Sequence, residues 1–364
     1  MSTTAATVPP ARRAVATLES LTPGQIAAIR AIPAHDQAVV PVLDARRPAS
    51  IFTDDARYRL EQDRVFRRTA VPVTLSVMLP EPGSVLAHEG HGLPLLLTRD
   101  RDGVVHAFLN ACQHKGSKLV EDCDPHKAAR LSCPYHAWTY ALDGKLVGVP
   151  RAETFAGLDK NSRGLAPLAC RESGGLIWVC LDRTREPDFS SMSDEIAADF
   201  TALGIPKAHV YGRRTFDLDA NWKLVLEPFL EGYHVQRLHA QSIGKMFADV
   251  PNVTDYLGRH IRQISGKANF SPEMLDIPGE NIHRTVTHAY LVFPSTVVVT
   301  SPHYISVMFL MPRAAGKTTV EYFMLTPSAP DNPKAEEIYA RSYELIQKVF
   351  GTEDFRAAQI SQVG

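Results

Sequence analysis

Between residues 70 and 182 the apolar positions fall in short β-branched runs broken by turns. LPLLLTRDRDGVVHAFLN reads as a hairpin turned at Asp102-Gly103, TYALDGKLVGV as one turned at Asp143-Gly144, and LACRESGGLIWVCLD as a third turned at Gly174-Gly175. These runs predict a small all-β unit. Before them, Thr22-Pro23-Gly24-Gln25 has an N-cap, a Pro at N1 and a capping-box Gln, and predicts a helix through QIAAIRAI. DDARYRLEQDRVF, residues 54–66, predicts a second helix.

After the β unit the pattern changes. Ser193-Asp194-Glu195 starts a short helix closed by Gly204 and Pro206, and VYGRRTFDLD reads as a strand. A helix is predicted from Asn221 to about Leu238, whereas residues 240–280 show no clean period and read as loop with short helices. Strand patterns return in HRTVTHAYLVF, STVVVTS, YISVMFLMP and TTVEYFMLTP, and NPKAEEIYARSYELIQKVF closes the series as a helix. The predicted class is α+β. An all-β domain is followed by an antiparallel sheet with helices packed on one face. The expected division is an N-terminal extension with a helix (1–50), a β domain with its preceding helix (51–185) and a second domain (186–364).

A length of 364 residues suits two domains, and a formal charge of −1 gives no reason to expect nucleic acid or an anionic membrane as partner. No apolar run approaches the roughly 20 residues that span a bilayer. The N-terminus has an Arg pair without a following apolar stretch, so a cytoplasmic location is expected. Five cysteines are too few for a disulfide framework, and in a reducing compartment clustered Cys and His point to metal or catalysis.

Two of the five cysteines stand beside histidines: Cys112-Gln-His114 and Cys133-Pro-Tyr-His136. A zinc finger groups its cysteines together and its histidines together. Here each hairpin tip offers one thiolate and one imidazole. If the tips meet, a two-iron cluster can take two Cys on one iron and two His on the other, the ligation of Rieske 2Fe–2S centres. A structural zinc is the alternative. Cys123-Asp-Pro-His126 repeats the second spacing but lies in the charged run EDCDPHK and reads as exposed loop. Trp138 and Tyr140 give apolar cover to Cys133 and His136, while Cys170 and Cys180 fall in strand patterns and read as core thiols.

NACQHKGSKL together with CPYHAWTYALDGKL, and the lead-in PGSVLAHEGHGLPLLLTRDRDGVVHAFLNAC, resemble the N-terminal domain of Rieske non-haem iron oxygenases, the ring-hydroxylating oxygenase large subunits. The resemblance implies that Cys112, His114, Cys133 and His136 hold a 2Fe–2S cluster. Two features depart from the family pattern: Lys115 stands where the family usually has Arg, and the spacer between the pairs is slightly long.

NWKLVLEPFLEGYHVQRLH carries a second constellation. On a helical wheel Glu227, Glu231 and His234 lie opposite Trp222, Val225, Leu226 and Phe229. Glu227 and Glu231 are like charges at i,i+4, unfavourable by a few tenths of a kcal/mol on a plain surface helix. His239 follows His234 at i+5, so one ion can be shared only if the helix ends or bulges near Val235 to Leu238. Two His and a distant carboxylate would make the facial triad of non-haem Fe(II) oxygenases.

The family places E-x3-D-x2-H-x4-H directly after N-W-K. The resemblance therefore makes His234 and His239 ligands of a mononuclear Fe(II), and puts Glu231 at the family's bridging Asp position. It also gives Asn221 a place in the catalytic motif. In KVFGTEDFRAAQISQVG it assigns Asp354 as third ligand, with Glu353 as fallback. From the residues themselves Thr352 reads as cap of a helix starting there, with Glu353 and Asp354 as first-turn acids the simpler alternative.

What the resemblance implies overall is the terminal oxygenase of a system fed by an NAD(P)H-dependent reductase, alone or with a ferredoxin. It would act with O2 on a small, aromatic substrate. O- or N-demethylation of a methylated acid or amine is the alternative, and an electron carrier without oxygenase chemistry the other class. The expected assembly is a head-to-tail homotrimer in which Glu231 bridges His136 of one subunit and His234 of the next. Met246, Phe247, Phe293 and Met308 are candidates for the substrate pocket, with core packing as the simpler reading.

Overall fold

The computed structural model describes residues 15–33, 46–249 and 252–364, so much of the expected N-terminal extension lies outside the described residues. Three small antiparallel sheets form the N-terminal β unit. The largest has the order His126–Lys127, Ser84–His88, Leu95–Arg99, Val105–Leu109, Pro167–Leu168. All three expected hairpins form where the turn residues stand. At the second, Gly144 has φ 85°, and a Cβ there would sit 2.4 Å from the Phe108 ring, so both conformation and space require glycine.

The C-terminal part is a seven-stranded antiparallel sheet in the order His209–Leu218, Lys317–Thr326, Ile305–Ala314, Thr296–Thr300, Val286–Val292, His260–Gly266, Val253–Leu257. Alternation along its strands divides the core. Val307, Phe309, Phe323 and Leu325 face the β unit and the helices Pro23–Arg30 and Asp194–Ala202. Met308, Leu310, Tyr322 and Met324 face the helices Trp222–Leu226 and Pro333–Lys348. Both faces are therefore covered, not one as the sequence suggested, which is why YISVMFLMP is apolar at nearly every position. The α+β class stands.

Three expectations are corrected. Residues 240–280 contain two strands, Val253–Leu257 and His260–Gly266. Their alternation is masked by buried polar residues: Arg262 reaches Asp199 (2.8 Å) and Asp255 (2.7 Å), and Asp199 also accepts from Tyr290 and Thr22. The helix expected from Asn221 to Leu238 is broken. An α segment ends at Leu226, a 3-10 turn spans Glu227–Leu230, Glu231 is extended (φ −151°, ψ 159°), and a new turn runs Val235–Leu238. Pro228 has no N–H to continue the ladder, so the break comes earlier than the His spacing indicated. Thr352 caps nothing. The helix Pro333–Lys348 passes through a π-helical turn, Val349–Asp354, straight into Phe355–Val363, and Thr352 Oγ1 donates to the Lys348 carbonyl.

The segment before the β unit belongs with the C-terminal sheet. Glu61 is buried and accepts from Trp222 Nε1 (3.0 Å) and Lys223 Nζ (2.9 Å), and Phe66 packs edge-on against Trp222. No helix among the described residues is long and apolar enough to cross a membrane.

Four histidines among the described residues, His91, His260, His283 and His288, are buried as neutral rings, and burial holds His288 well below its ordinary value. Burial holds His91 and His283 at about 3 and His260 at about 4. An unfolded histidine titrates near 6.5. Below that pH the unfolded chain takes up protons that the folded chain refuses. Their contribution is thus whole above pH 6.5 and drains away as pH falls towards the folded values. Urea unfolding should show stability lower at pH 5 than at pH 7, by roughly 1–2 kcal/mol per buried histidine. His283→Gln should flatten that slope; an equal slope would show that His283 takes no part in it.

Candidate metal centres

The two Cys/His loops meet. Cys112 and Cys133 are buried, at 2% and 3% exposure, and their thiols are hydrogen-bond partners. The His114 and His136 rings lie 4.5 Å apart, and His114 stacks on Trp138 at 4.9 Å. Both loops are closed by their own backbone: Gly116 N–H donates to Cys112 O, and Ala137 N–H to Cys133 O. Gly116 and Ala137 adopt left-handed φ values, 74° and 55°. Burial pushes the Cys133 thiol up, but N–H groups of Tyr135 and His136 bonded to it, with Cys112 and Ser117, outweigh that and bring it below its ordinary value. Tyr140 OH sits 3.3 Å from Cys112 Sγ.

His114 Nδ1 is buried with no protein hydrogen-bond partner. Two thiols inside, two imidazoles outside and an orphaned ring nitrogen turned inward fit a 2Fe–2S cluster held by two Cys and two His. His136 lies exposed at the tip. The decoy pair is elsewhere: His126 sits exposed on an edge strand beside Ser84–His88, and the Cys123 carbonyl accepts from Arg213.

His234, His239 and Asp354 form a second group, with one ligand atom from each within 4.8 Å of the others. Asp354 Oδ1 stands 3.6 Å from His234 Nε2 and 3.3 Å from His239 Nε2. The break after Leu226 lets the two histidines converge, and the π-helical turn brings Asp354 to meet them. The Asp354 carboxyl is 3% exposed, and its Oδ1 has no hydrogen-bond partner. A buried, orphaned carboxylate oxygen facing two Nε2 atoms fits a divalent iron.

Each imidazole is held from behind. His234 Nδ1 donates to Glu231 Oε1, and the other Glu231 oxygen accepts the His234 N–H at 3.1 Å. His239 Nδ1 donates to Glu353, which also accepts from Ser242 Oγ at 2.7 Å. Burial works against the Glu231 charge, but His234 outweighs it and keeps the carboxyl below the usual glutamate value. Glu353 thus sits behind a ligand and not in the group itself. Its role was not legible in the sequence, although its place beside Asp354 was.

Asn221 does not join this group. Its Oδ1 caps the helix at Lys223 N, and its Nδ2 donates to Ala315 O (2.6 Å) and Phe52 O (3.1 Å). With Trp222 and Lys223 bonded to Glu61, the N-W-K triplet is an anchor for the segment that carries His234 and His239. Of the pocket candidates, Met308 is fully buried core, Met246 is 51% exposed, and Phe247 and Phe293 are half-buried.

The Rieske [2Fe-2S] domain family matches residues 69–162, and the ring hydroxylating alpha subunit (catalytic domain) family matches residues 206–364. Choline monooxygenase of Beta vulgaris is 28% identical over 298 residues, 78% of this chain and 64% of the relative. The glycine betaine monooxygenase oxygenase subunit of Chromohalobacter salexigens is 31% identical over 208 residues, 56% of this chain and 45% of the relative. The chain thus spans less than two thirds of either relative. The quaternary ammonium Rieske monooxygenase CntA, solved with L-carnitine, shares the fold with a TM-score of 0.72 at 21% identity, over 87% of this chain and 84% of that one. The two matched domains follow each other in the order of the two metal centres, and both centres have the donors that a 2Fe–2S cluster and a mononuclear iron require: the chain belongs to the Rieske non-haem iron oxygenases.

Proposed function

We propose that the chain is the terminal oxygenase of a Rieske-type system that hydroxylates a small quaternary or methylated ammonium compound. The electrons come from an NAD(P)H-dependent reductase, directly or through a ferredoxin. The balance is substrate R–H, O2, NAD(P)H and H⁺ giving R–OH, H2O and NAD(P)⁺. The observation that carries the reading is the convergence of His234, His239 and Asp354 on one point. The relatives' substrates turn the choice towards choline-like compounds; ring dihydroxylation of an aromatic acid uses the same ligands and is the second reading.

When bound, the cluster supplies single electrons and the ferrous iron the place where O2 is activated. The chain's own residues set the geometry for this. His234, His239 and Asp354 would hold the iron, and a three-residue ligand set would leave coordination positions open for O2 and substrate. Glu231 and Glu353 each take an Nδ1–H, which fixes the tautomer and leaves Nε2 free to ligate. Their negative charge also raises the basicity of the rings they hold. Asp354, sealed from water, would supply the carboxylate ligand.

His136 is exposed, and Glu231 is 44% exposed. Within the chain His136 packs against Tyr135 and His114, and Glu231 against the His234 segment. A head-to-tail trimer would let the free face of Glu231 accept the outer N–H of a neighbour's His136 and link the two centres.

Four outcomes test this. Anaerobically purified protein should hold three irons per chain. On Glu353→Gln the iron should bind about 10–100-fold more weakly, with the cluster's visible absorption unchanged. Glu231→Gln should keep both metals yet slow transfer from reduced cluster to iron in single turnover; a wild-type rate would remove Glu231 from the bridge. Choline, glycine betaine and carnitine should yield oxidised product in a panel with aromatic acids; turnover of the aromatic acids alone would favour ring dihydroxylation.

A further inference from the structure

Away from both metal centres, a cavity of about 410 Å³ opens where three parts of the chain meet: the segment 55–67, the Gly90–Gly92 turn of the β unit, and the end of strand Ile305–Ala314. Three guanidinium groups line it, from Arg59, Arg67 and Arg313. Arg59 and Arg67 make no salt bridge among the described residues, and both are exposed. Arg313 bonds Thr319 through Nε and the Glu89 carbonyl through Nη1.

Two acids, Asp63 and Asp182, share the wall, but each is already matched. Arg185 bonds both, Arg64 bonds Asp63 at 3.0 Å, and Thr184 donates to Asp182. Counting Arg185 with them, the lining keeps an excess of positive charge.

Two more polar groups at this cavity are buried without a protein partner: His91 Nδ1 and Gln62 Nε2. His91 is only 4% exposed, and its ring packs on Phe66 at 5.3 Å. Its backbone holds a left-handed φ of 52°, a conformation uncommon for a non-glycine residue. Buried donors left unpaired are rare, and those that occur ask for a partner. Tyr58, with its hydroxyl a long 3.5 Å from the Pro312 carbonyl, completes the donor set.

We propose that this cavity is a binding site for a small oxyanion, a phosphate or a carboxylate-bearing molecule. Arg59, Arg67 and Arg313 supply charge and paired N–H groups, and His91 Nδ1–H and the Gln62 amide supply the directed bonds. Guanidinium forks match both phosphate and carboxylate geometry, and the volume suits a small molecule. Because its walls come from three parts of the chain, an occupant would tie them together and resist their separation.

The test is thermal unfolding of the full-length protein titrated with inorganic phosphate or citrate, with sodium chloride balancing the ionic strength. Wild type should show a saturable rise in midpoint beyond that of chloride. Arg59→Gln and Arg67→Gln, both exposed and outside the core, should each weaken the apparent affinity about tenfold. Arg341→Gln, which removes one exposed positive charge from the distant helix Pro333–Lys348, should leave it unchanged. A response to phosphate alone or to citrate alone identifies which oxyanion fits. No response beyond chloride, or an undiminished response in both Arg59→Gln and Arg67→Gln, overturns the proposal.

Discussion

A carboxylate oxygen sealed from water and left without a hydrogen bond is the constraint around which the C-terminal half is arranged. Asp354 Oδ1 is such an atom, and burying it unpaired would be strongly destabilising. A divalent iron held between Asp354 and the two imidazoles would offset that cost. The π-helical turn Val349–Asp354 adds the residue that turns Asp354 inward, while the break at Pro228 frees the two histidines from a rigid helical spacing. Irregular helix geometry appears here because regular geometry could not supply three ligands on one side of an ion.

Around that point each imidazole is secured by a neighbour of opposite character. Glu231 and Glu353 flank the imidazoles, Ser242 steadies Glu353, and the N-W-K triplet ties the segment back through Glu61. The cluster site follows the same logic with different materials. Thiols are buried and receive backbone N–H groups, while the imidazoles remain at the rim. Charge is kept where protein donors can balance it, and His136 stays exposed.

Much of this was legible in the residues. Gly103, Gly144 and Gly174-Gly175 marked the hairpins, and Cys112, His114, Cys133 and His136 stood out by spacing. Asp354 was located only through the family pattern. Two kinds of feature stayed hidden. Strands such as His260–Gly266 carry Arg262 and Gln263 inside the protein, so their polar letters mimic a loop when their partners lie far off in sequence. Glu353 was read as a fallback ligand and Glu61 carried no signal, because a carboxylate's letter says nothing about the ring or indole it accepts from.

The attachment of Glu61 and Phe66 to Trp222 and Lys223 bears on how such proteins can be recombined. A chimera that grafts a foreign cluster module onto this catalytic body has its natural crossover after Phe66. A junction placed upstream, near residue 50, would import a helix never shaped for the recipient's Trp222, and would leave that indole N–H and the Lys223 ammonium facing a stranger.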